Sequence, residues 1–484
     1  MPDKPNLIFI MPDQLRHDFL SCYDAPFIQT PFIDSLCEHG VLFTHCYSEH
    51  PVCVPARVSL MTGMHALKTG VLDNGLFLRP DHRACGMDTW PELLNENGYY
   101  TAGIGKMHFY PWDLRLGLQY RSICEDKRWI HIRDDYAHYL AAHGERKHHG
   151  NEHEGYFENR GAVINLLPYE LQWDYFVGQE AARFVREHGD EGPFAMMVGF
   201  PGPHCPYDPS KQYADMFDPD DMPEPVPDAG DTPEIRQRNI DGNRGDWNGV
   251  DYTEFTYEQK KKIRAHYAGS VKQIDDQVGA ILQALEDKGL RDNTIILFSS
   301  DHGDYLGDHN LIGKGQYFES SFHVPMLAYL PWKEGLSTCD EMVTLTDVTA
   351  TMLHFAGVEI PEQMTSQPLP GLGIEGASGR DEIIGALNGG WMIFDGEWRL
   401  SKYSTGETLL FNIKKDPLEQ HNLAADTAYA DVYRALDARL TQAVMGYVHD
   451  SMHARRVYVH DLSQSSAFGR EGWQRPYPRS YASE

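Results

Sequence analysis

The sequence predicts an α/β fold: a doubly wound, mostly parallel sheet flanked by helices, with a smaller antiparallel-sheet subdomain towards the C-terminus. Three observations predict it. Short apolar runs recur along the chain, helix-like segments lie between them, and near residue 388 the texture changes to an apolar–polar alternation around tight turns.

The strand candidates are NLIFIM (6–11), YTAGIG (100–105), FAMMVGF (194–200), TIILFSS (294–300) and PMLAYL (325–330). Each is a short apolar run, the pattern of a strand buried on both faces. TPFIDSLCEHG reads as a helix with Thr30 as N-cap, and the run from Thr256 to Asp287 carries apolar residues at helical spacing. Residues 120–170 are rich in His, Asp and aromatics, and residues 205–250 in Pro, Asp and Gly. Both lack strand character and are expected as inserts that wall a site or touch another subunit. The histidines of 143–153 could form a metal tract, but a solvated polar loop is the expectation. From Asn388 the alternation around Asp395-Gly396 and Thr405-Gly406 predicts an antiparallel meander, followed by a helix near 427–446. The expected units are a main α/β domain over 1–387, the sheet-and-helix subdomain over 388–455, and a tail over 456–484 docked on the body or on a neighbouring subunit.

With 484 residues, 41% of them hydrophobic and 12% aromatic, the chain can bury a large core. A net charge of −29 argues against nucleic-acid and anionic-membrane partners, so any anionic substrate must be attracted by local cations or a metal. The N-terminal MPDKPNLIFIMPDQ lacks the apolar length and cleavage site of a signal peptide, and no stretch is apolar enough to span a bilayer. A cytoplasmic location is therefore expected. The eight cysteines are scattered without a CxxC, which predicts reduced thiols rather than disulfides or a zinc cluster.

The residues just beyond the strands carry chemistry. NLIFIM leads to Asp13-Gln14, YTAGIG to Lys106-Met107-His108, FAMMVGF to His204, and TIILFSS to Asp301-His302. Ligand sites in open α/β sheets lie beyond the carboxyl ends of the strands, so these residues are predicted to converge. Asp13, Gln14, Asp301 and His302 offer three oxygen-bearing side chains and one imidazole, a set suited to Ca²⁺, Mg²⁺ or Mn²⁺. Zinc would bring more His or Cys. Cys53, flanked by prolines at the start of a probable helix, stays open to several readings. It could be a buried thiol, a metal ligand, a helix-terminal nucleophile or the precursor of another group.

Cys53-Val54-Pro55-Ala56-Arg57, followed by SLMTG, resembles the type I sulfatase signature. In that family the cysteine is oxidised after translation to formylglycine, an aldehyde that exists hydrated as a geminal diol. PNLIFIMPDQ, GKMH (Gly105–His108), SSDHGDYLGDHNLIGKG and LFNIKKDPLEQHNLA resemble further family segments in the same order. The resemblance implies an alkaline-phosphatase-like fold and hydrolysis of a sulfate ester to an alcohol and inorganic sulfate. It implies that Cys53, once modified, supplies the attacking oxygen. Asp13, Gln14, Asp301 and His302, together with that oxygen, hold one divalent cation, expected as calcium with manganese or magnesium as alternatives. Arg57 stabilises the diol, and Lys106 and Lys314 bind sulfate oxygens. His204 donates a proton to the leaving alcohol, His108 takes one from the second diol hydroxyl, and Asn74 lies near the metal or the substrate. A formylglycine-generating maturation enzyme is an implied partner.

Many family members carry Asp-Asp and Asp-Asn at the two metal strands. Here the pairs are Asp13-Gln14 and Asp301-His302, which resemble the branch holding choline sulfatases and phosphonate monoester hydrolases. A phosphonate monoester or phosphodiester hydrolase is thus the rival activity, and the presence of both Lys106 and His108 favours sulfate. A choline-type substrate would need an aromatic cage with a carboxylate, for which Trp112, Trp129, Tyr156 and Phe157 are candidates. A sulfated sugar would need polar groups from the 120–170 insert. The GREGW tail resembles tails that cross to a neighbouring subunit, so a dimer or tetramer is expected. A reading of another class is a catalytically silent ligand-binding member with unmodified Cys53.

Overall fold

The computed structural model describes residues 4–126 and 128–454, and the expected tail lies outside the described residues. In chain order the first strands are β1 (Asn6–Asp13), β2 (Gly40–Phe43), β3 (Cys46–Tyr47), β4 (Tyr100–Gly105) and β5 (Tyr120–Ile123). They are followed by β6 (Phe194–Pro203), β7 (Thr294–Ser299), β8 (Met326–Tyr329), β9 (Ser337–Cys339) and β10 (Val343–Thr344). Eight of these form one sheet in the order β5-β4-β6-β1-β7-β8-β2-β9, while β3 and β10 pair as a short ribbon. All five expected strands are present. The pairs β4/β5, β4/β6, β1/β6 and β1/β7 are parallel, whereas β8 runs antiparallel to both β7 and β2.

The continuous apolar runs are explained by two cores. On β1, Ile8 and Ile10 face a cluster containing Val177, Phe184, Ile274 and Ile281, from helices Trp173–His188 and Tyr257–Asp287. Leu7, Phe9 and Met11 face Leu60, Trp90 and Leu353 on the other side. A strand with helices on both faces has no solvated side, so its period of two disappears from the sequence. The long helix starts at the capping box of Thr256 and Gln259. Thr30 precedes its helix as expected, but its hydroxyl bonds Asp34 instead of capping. The free N–H groups of Phe32 and Ile33 donate to Asp275 of the long helix at 3.0 and 2.9 Å.

Two features depart from the sequence expectations. The insert at 120–170 opens with the edge strand β5, hidden because YRSI is four residues long and carries Arg121 and Ser122. The 143–153 stretch is not a wholly solvated loop. His153 and Lys147 are buried, with Lys147 Nζ 2.7 Å from Asp134 Oδ2. All eight cysteines lie among the described residues, and none of them forms a disulfide. No described helix is long and apolar enough to cross a membrane.

The meander comprises β11 (Ile383–Leu387), β12 (Gly390–Phe394), β13 (Trp398–Tyr403) and β14 (Thr408–Asn412), all antiparallel. It begins at Ile383, ahead of the expected boundary at 388. One face packs on Leu436 and Leu440 of helix Ala430–Ala454, and the other on Tyr47, Tyr317 and Phe322 of the main body. Buried Arg399 ties the two together, donating to Glu319 Oε2 at 2.8 Å and to Glu419. Truncating Arg399 would leave two carboxylates without their cation. Arg399→Ala is therefore expected to cost about 3–5 kcal/mol in guanidinium unfolding, and a loss under about 1 kcal/mol would show that the ion cluster does not hold the subdomain.

Candidate active site

The four strands singled out by the sequence are neighbours, β4-β6-β1-β7, and all run parallel. Their carboxyl ends share one edge, and that edge carries Lys106, His204, Asp13-Gln14 and Asp301-His302. Helix Cys53–Thr62 is wholly buried and begins at the same point. Cys53 Sγ lies 3.1 Å from His302 Nε2 and 3.9 Å from Asp13 Oδ1. Asn74 accepts a hydrogen bond from Val54 N at 3.0 Å, so it pins the first turn of this helix from the cleft side.

Arg57 holds the strand ends together. Its guanidinium donates through Nε to Asp301 Oδ2 (3.0 Å), through Nη2 to Asp13 Oδ2 (2.9 Å) and through Nη1 to the Lys106 carbonyl (2.7 Å). Lys106 Nζ lies 2.9 Å from Asp13 Oδ2 and 3.3 Å from Asp126 Oδ2. The glycine before Lys106 is obligatory. Gly105 has φ +85°, and a Cβ there would sit 2.1 Å from the Gly199 carbonyl oxygen.

Gln14 sits at φ 70°, strained for a residue with a side chain. Its backbone donates to Asp301 Oδ1 at 2.9 Å and accepts from Tyr267 Oη at 2.7 Å. Its amide donates to Asp304 and accepts from Lys314 Nζ at 2.7 Å. Asp304, to which no sequence motif assigned a role, also receives Gly313 N at 2.8 Å and so fixes the loop that presents Lys314. Lys314 Nζ lies 2.7 Å from His204 Nε2, and His204 Nδ1 lies 2.8 Å from the Cys205 carbonyl. His108 is anchored by its backbone N–H on Glu125 Oε2 at 3.0 Å, and its Nδ1 is buried without a hydrogen-bond partner.

Burial and the charge of Cys53 would lift the Asp13 carboxyl, but Lys106, His204 and Arg57 hold it below the usual carboxylate range. Asp301 goes the other way, raised by burial and then by Asp13. Burial would also raise the Cys53 thiol, yet Lys314, His302 and hydrogen bonds from His108 and His204 hold it well below its ordinary value. Burial, Lys314 and Arg128 push His204 down to about 3. One ligand atom from each of Asp13, Cys53, Asp301 and His302 lies within 4.8 Å of the others.

Above this floor opens a cleft of about 500 Å³. His108, Asn74 and Lys314 line it, and so do Arg128, Trp129 and Trp247. Arg128 and Trp247 carry no motif that marks them in the sequence. Of the four aromatics considered for a choline cage, only Trp129 reaches the cleft, and Tyr156 is buried with its hydroxyl on Asn248. Arg57→Lys keeps the charge but cannot reproduce the three-way fork. At about 1.5–3 kcal/mol per charged hydrogen bond, it is expected to cost about 2–4 kcal/mol in urea unfolding, and an unchanged midpoint would disprove the role given to the fork.

The sulfatase family model matches residues 5–358. The chain is 31% identical to an arylsulfatase of Clostridium perfringens, over 88% of this chain and 92% of that protein. It is 27% identical to a choline-sulfatase of Rhizobium meliloti, over 96% and 92% respectively. Its fold matches the phosphonate monoester hydrolase of Agrobacterium radiobacter with a TM-score of 0.77 at 24% identity, covering 92% of this chain and 96% of that one. With its motif residues gathered at one sheet edge and these likenesses spanning nearly the whole chain, the protein belongs to the sulfatase family, sulfuric ester hydrolases of the alkaline-phosphatase-like superfamily.

Proposed function

We propose that the protein hydrolyses a sulfate ester to an alcohol and inorganic sulfate, with Cys53 as the precursor of the nucleophile. The observation that carries this reading is the position of Cys53 Sγ, 3.1 Å from His302 and 3.9 Å from Asp13 at the floor of a cleft lined by Lys314 and His108. Oxidised to formylglycine by a maturation enzyme, Cys53 would offer a hydrated aldehyde whose oxygen attacks sulfur.

The donor set fits a hard divalent cation. Asp13, Asp301 and His302 converge within 4.8 Å, and the carboxyl of Asp301 is destabilised by burial and by Asp13, a conflict that a cation relieves. Gln14 would add its amide oxygen, which now accepts from Lys314. Calcium is the expected ion, with manganese or magnesium as alternatives. Bound there, it would acidify an oxygen nucleophile and screen the charge of the sulfate.

Lys106 and Lys314 would bind sulfate oxygens as point charges. Burial disfavours the Lys106 ammonium, but Asp126 and Asp13 hold it charged. Burial, Lys314 and Arg128 disfavour the charged form of His204, and its Nε2 faces Lys314. An arriving anionic ester offsets the charge of Lys314 and makes His204 more basic, so the pair can hold a proton for the departing alkoxide. His108, with its unpartnered Nδ1, is free to take the proton that releases sulfate.

Three measurements test this. Mass spectrometry of the peptide spanning Cys53 should show formylglycine in protein made alongside a maturation enzyme, and an unmodified thiol there would favour the silent-member reading. The modified enzyme should turn over p-nitrophenyl sulfate at least about tenfold faster than p-nitrophenyl phenylphosphonate, and Cys53→Ala should abolish both. The opposite ratio would make it a phosphonate hydrolase. A divalent-ion chelator should lower the melting temperature, with calcium restoring it; an unchanged melting temperature would remove the cation from the site.

A further inference from the structure

The protein carries 71 acidic side chains against 42 Lys and Arg, yet among the described residues no Asp or Glu lines the cleft above Cys53. Three basic side chains do: Lys314, Arg128 and Arg238. Two are already engaged. Lys314 belongs to the floor with Gln14 and His204. Arg128 grips Asp126 through Nε at 2.7 Å and through Nη2, and its guanidinium stacks 4.6 Å over the Trp247 ring. Asp126 itself is buried behind Lys106 and does not face the cleft.

Arg238 differs. It stands exposed on helix Pro233–Asn243 at the wall of the cleft. Its Nη2 donates to a neutral partner, Thr405 Oγ1 at 3.1 Å, in the turn between β13 and β14. The Thr405 hydroxyl in turn donates to Glu407 Oε2 at 3.1 Å, and the other oxygen of Glu407 accepts from Ile235 N at 3.3 Å. The guanidinium is thus braced through a hydroxyl, and among the described residues no carboxylate forms an ion pair with it. A braced guanidinium with free donors, facing a cavity without acids, is a receptor for a planar or tetrahedral anion. A cavity of about 500 Å³ also holds far more than one sulfate group. A quaternary ammonium group there would meet three cations and no carboxylate, although Trp129 and Trp247 supply aromatic faces.

Resting on the sulfate-ester reading, we infer that the alcohol portion of the substrate carries a second anionic group, a carboxylate or another sulfate. Arg238 binds that group, with the Arg128-backed face of Trp247 as the apolar wall beside it. Arg238 is then the residue that determines leaving-group specificity.

The test uses phenyl sulfates bearing, at the meta and para positions, a carboxylate, a sulfate, a neutral carboxamide or a trimethylammonium group. Binding is measured by calorimetry in the Cys53→Ala protein, which cannot turn them over, and kcat/KM is measured with formylglycine-bearing enzyme. At one ring position at least, the anionic esters should bind about tenfold tighter than the carboxamide, and the trimethylammonium ester weakest. Arg238→Gln should erase the anion-to-carboxamide ratio in both measurements, through KM more than kcat. Whichever anion shows the larger ratio identifies the group recognised. A ratio of one or below in the parent protein, or a ratio that survives Arg238→Gln, overturns the inference. Failure of the formylglycine-bearing enzyme to hydrolyse any of these sulfate esters would instead overturn the sulfate-ester reading and this inference with it, while turnover without anion preference overturns this inference alone.

Discussion

The buried fork of Arg57 is the interaction on which the site depends. Asp13 and Asp301 end two neighbouring strands, and two carboxylates so close and so deeply buried cannot both stay ionised without a cation. Arg57 meets one oxygen of each and takes the Lys106 carbonyl with its remaining nitrogen, so three strand ends are referenced to one planar group. Lysine has no geometry that satisfies all three. Because Arg57 lies four residues after Cys53 on the same helix, fixing the guanidinium also fixes Cys53 over the strand ends. The five-residue span from Cys53 to Arg57 is therefore a distance constraint as well as a chemical motif.

From that constraint the charges around the floor arrange themselves in layers. Arg57 and Lys106 both lean on Asp13, which leaves Asp301 the less compensated carboxylate. Lys314 is held between Gln14 and His204, and after burial its charge is the next cause that disfavours the imidazolium. In the proposed reaction, an anionic ester bound between Lys106 and Lys314 would offset the charge of Lys314 and make His204 more basic. Gln14 links the layers: its strained backbone is secured by Asp301 and Tyr267, and its amide joins Asp304 to Lys314.

The strand-end residues were legible in the sequence because a fully buried parallel strand leaves an apolar run that stops abruptly at its first functional residue. Asp13, Lys106, His204 and Asp301 each stand at such a stop. Other features had no local signal. β5 is an edge strand whose YRSI pattern is set by what it pairs with, and the reversed direction of β8 depends on pairing with β7 and β2. His153 and Lys147 look like members of a solvated run, and only Asp134 and the fold around them explain their burial. Arg128, Trp247 and Arg238 lie in inserts without periodicity, and they meet at the cleft only because two separate segments fold over the same sheet edge. Asp304 sat in view within DHGD, but its role in carrying Lys314 depends on a turn that spacing alone does not reveal.

The opposition between a net charge of −29 and the anion-binding floor proposed above resolves through range. At physiological salt the Debye length is about 8 Å, so most of the acidic surface is screened from a ligand in the cleft, and the nearest side chains decide its fate. Excluding carboxylates from the lining then matters more than the bulk balance of the chain. The floor cannot provide selectivity among sulfate esters, because every such ester presents it with the same group. Discrimination must come from the wall, where Arg128 is neutralised and stacked, Lys314 is committed to the floor, and Arg238 keeps its donors free. An unpaired charge held in place by a neutral hydroxyl can distinguish substrates, since an anion gains a charged hydrogen bond there while a cation meets repulsion without compensation.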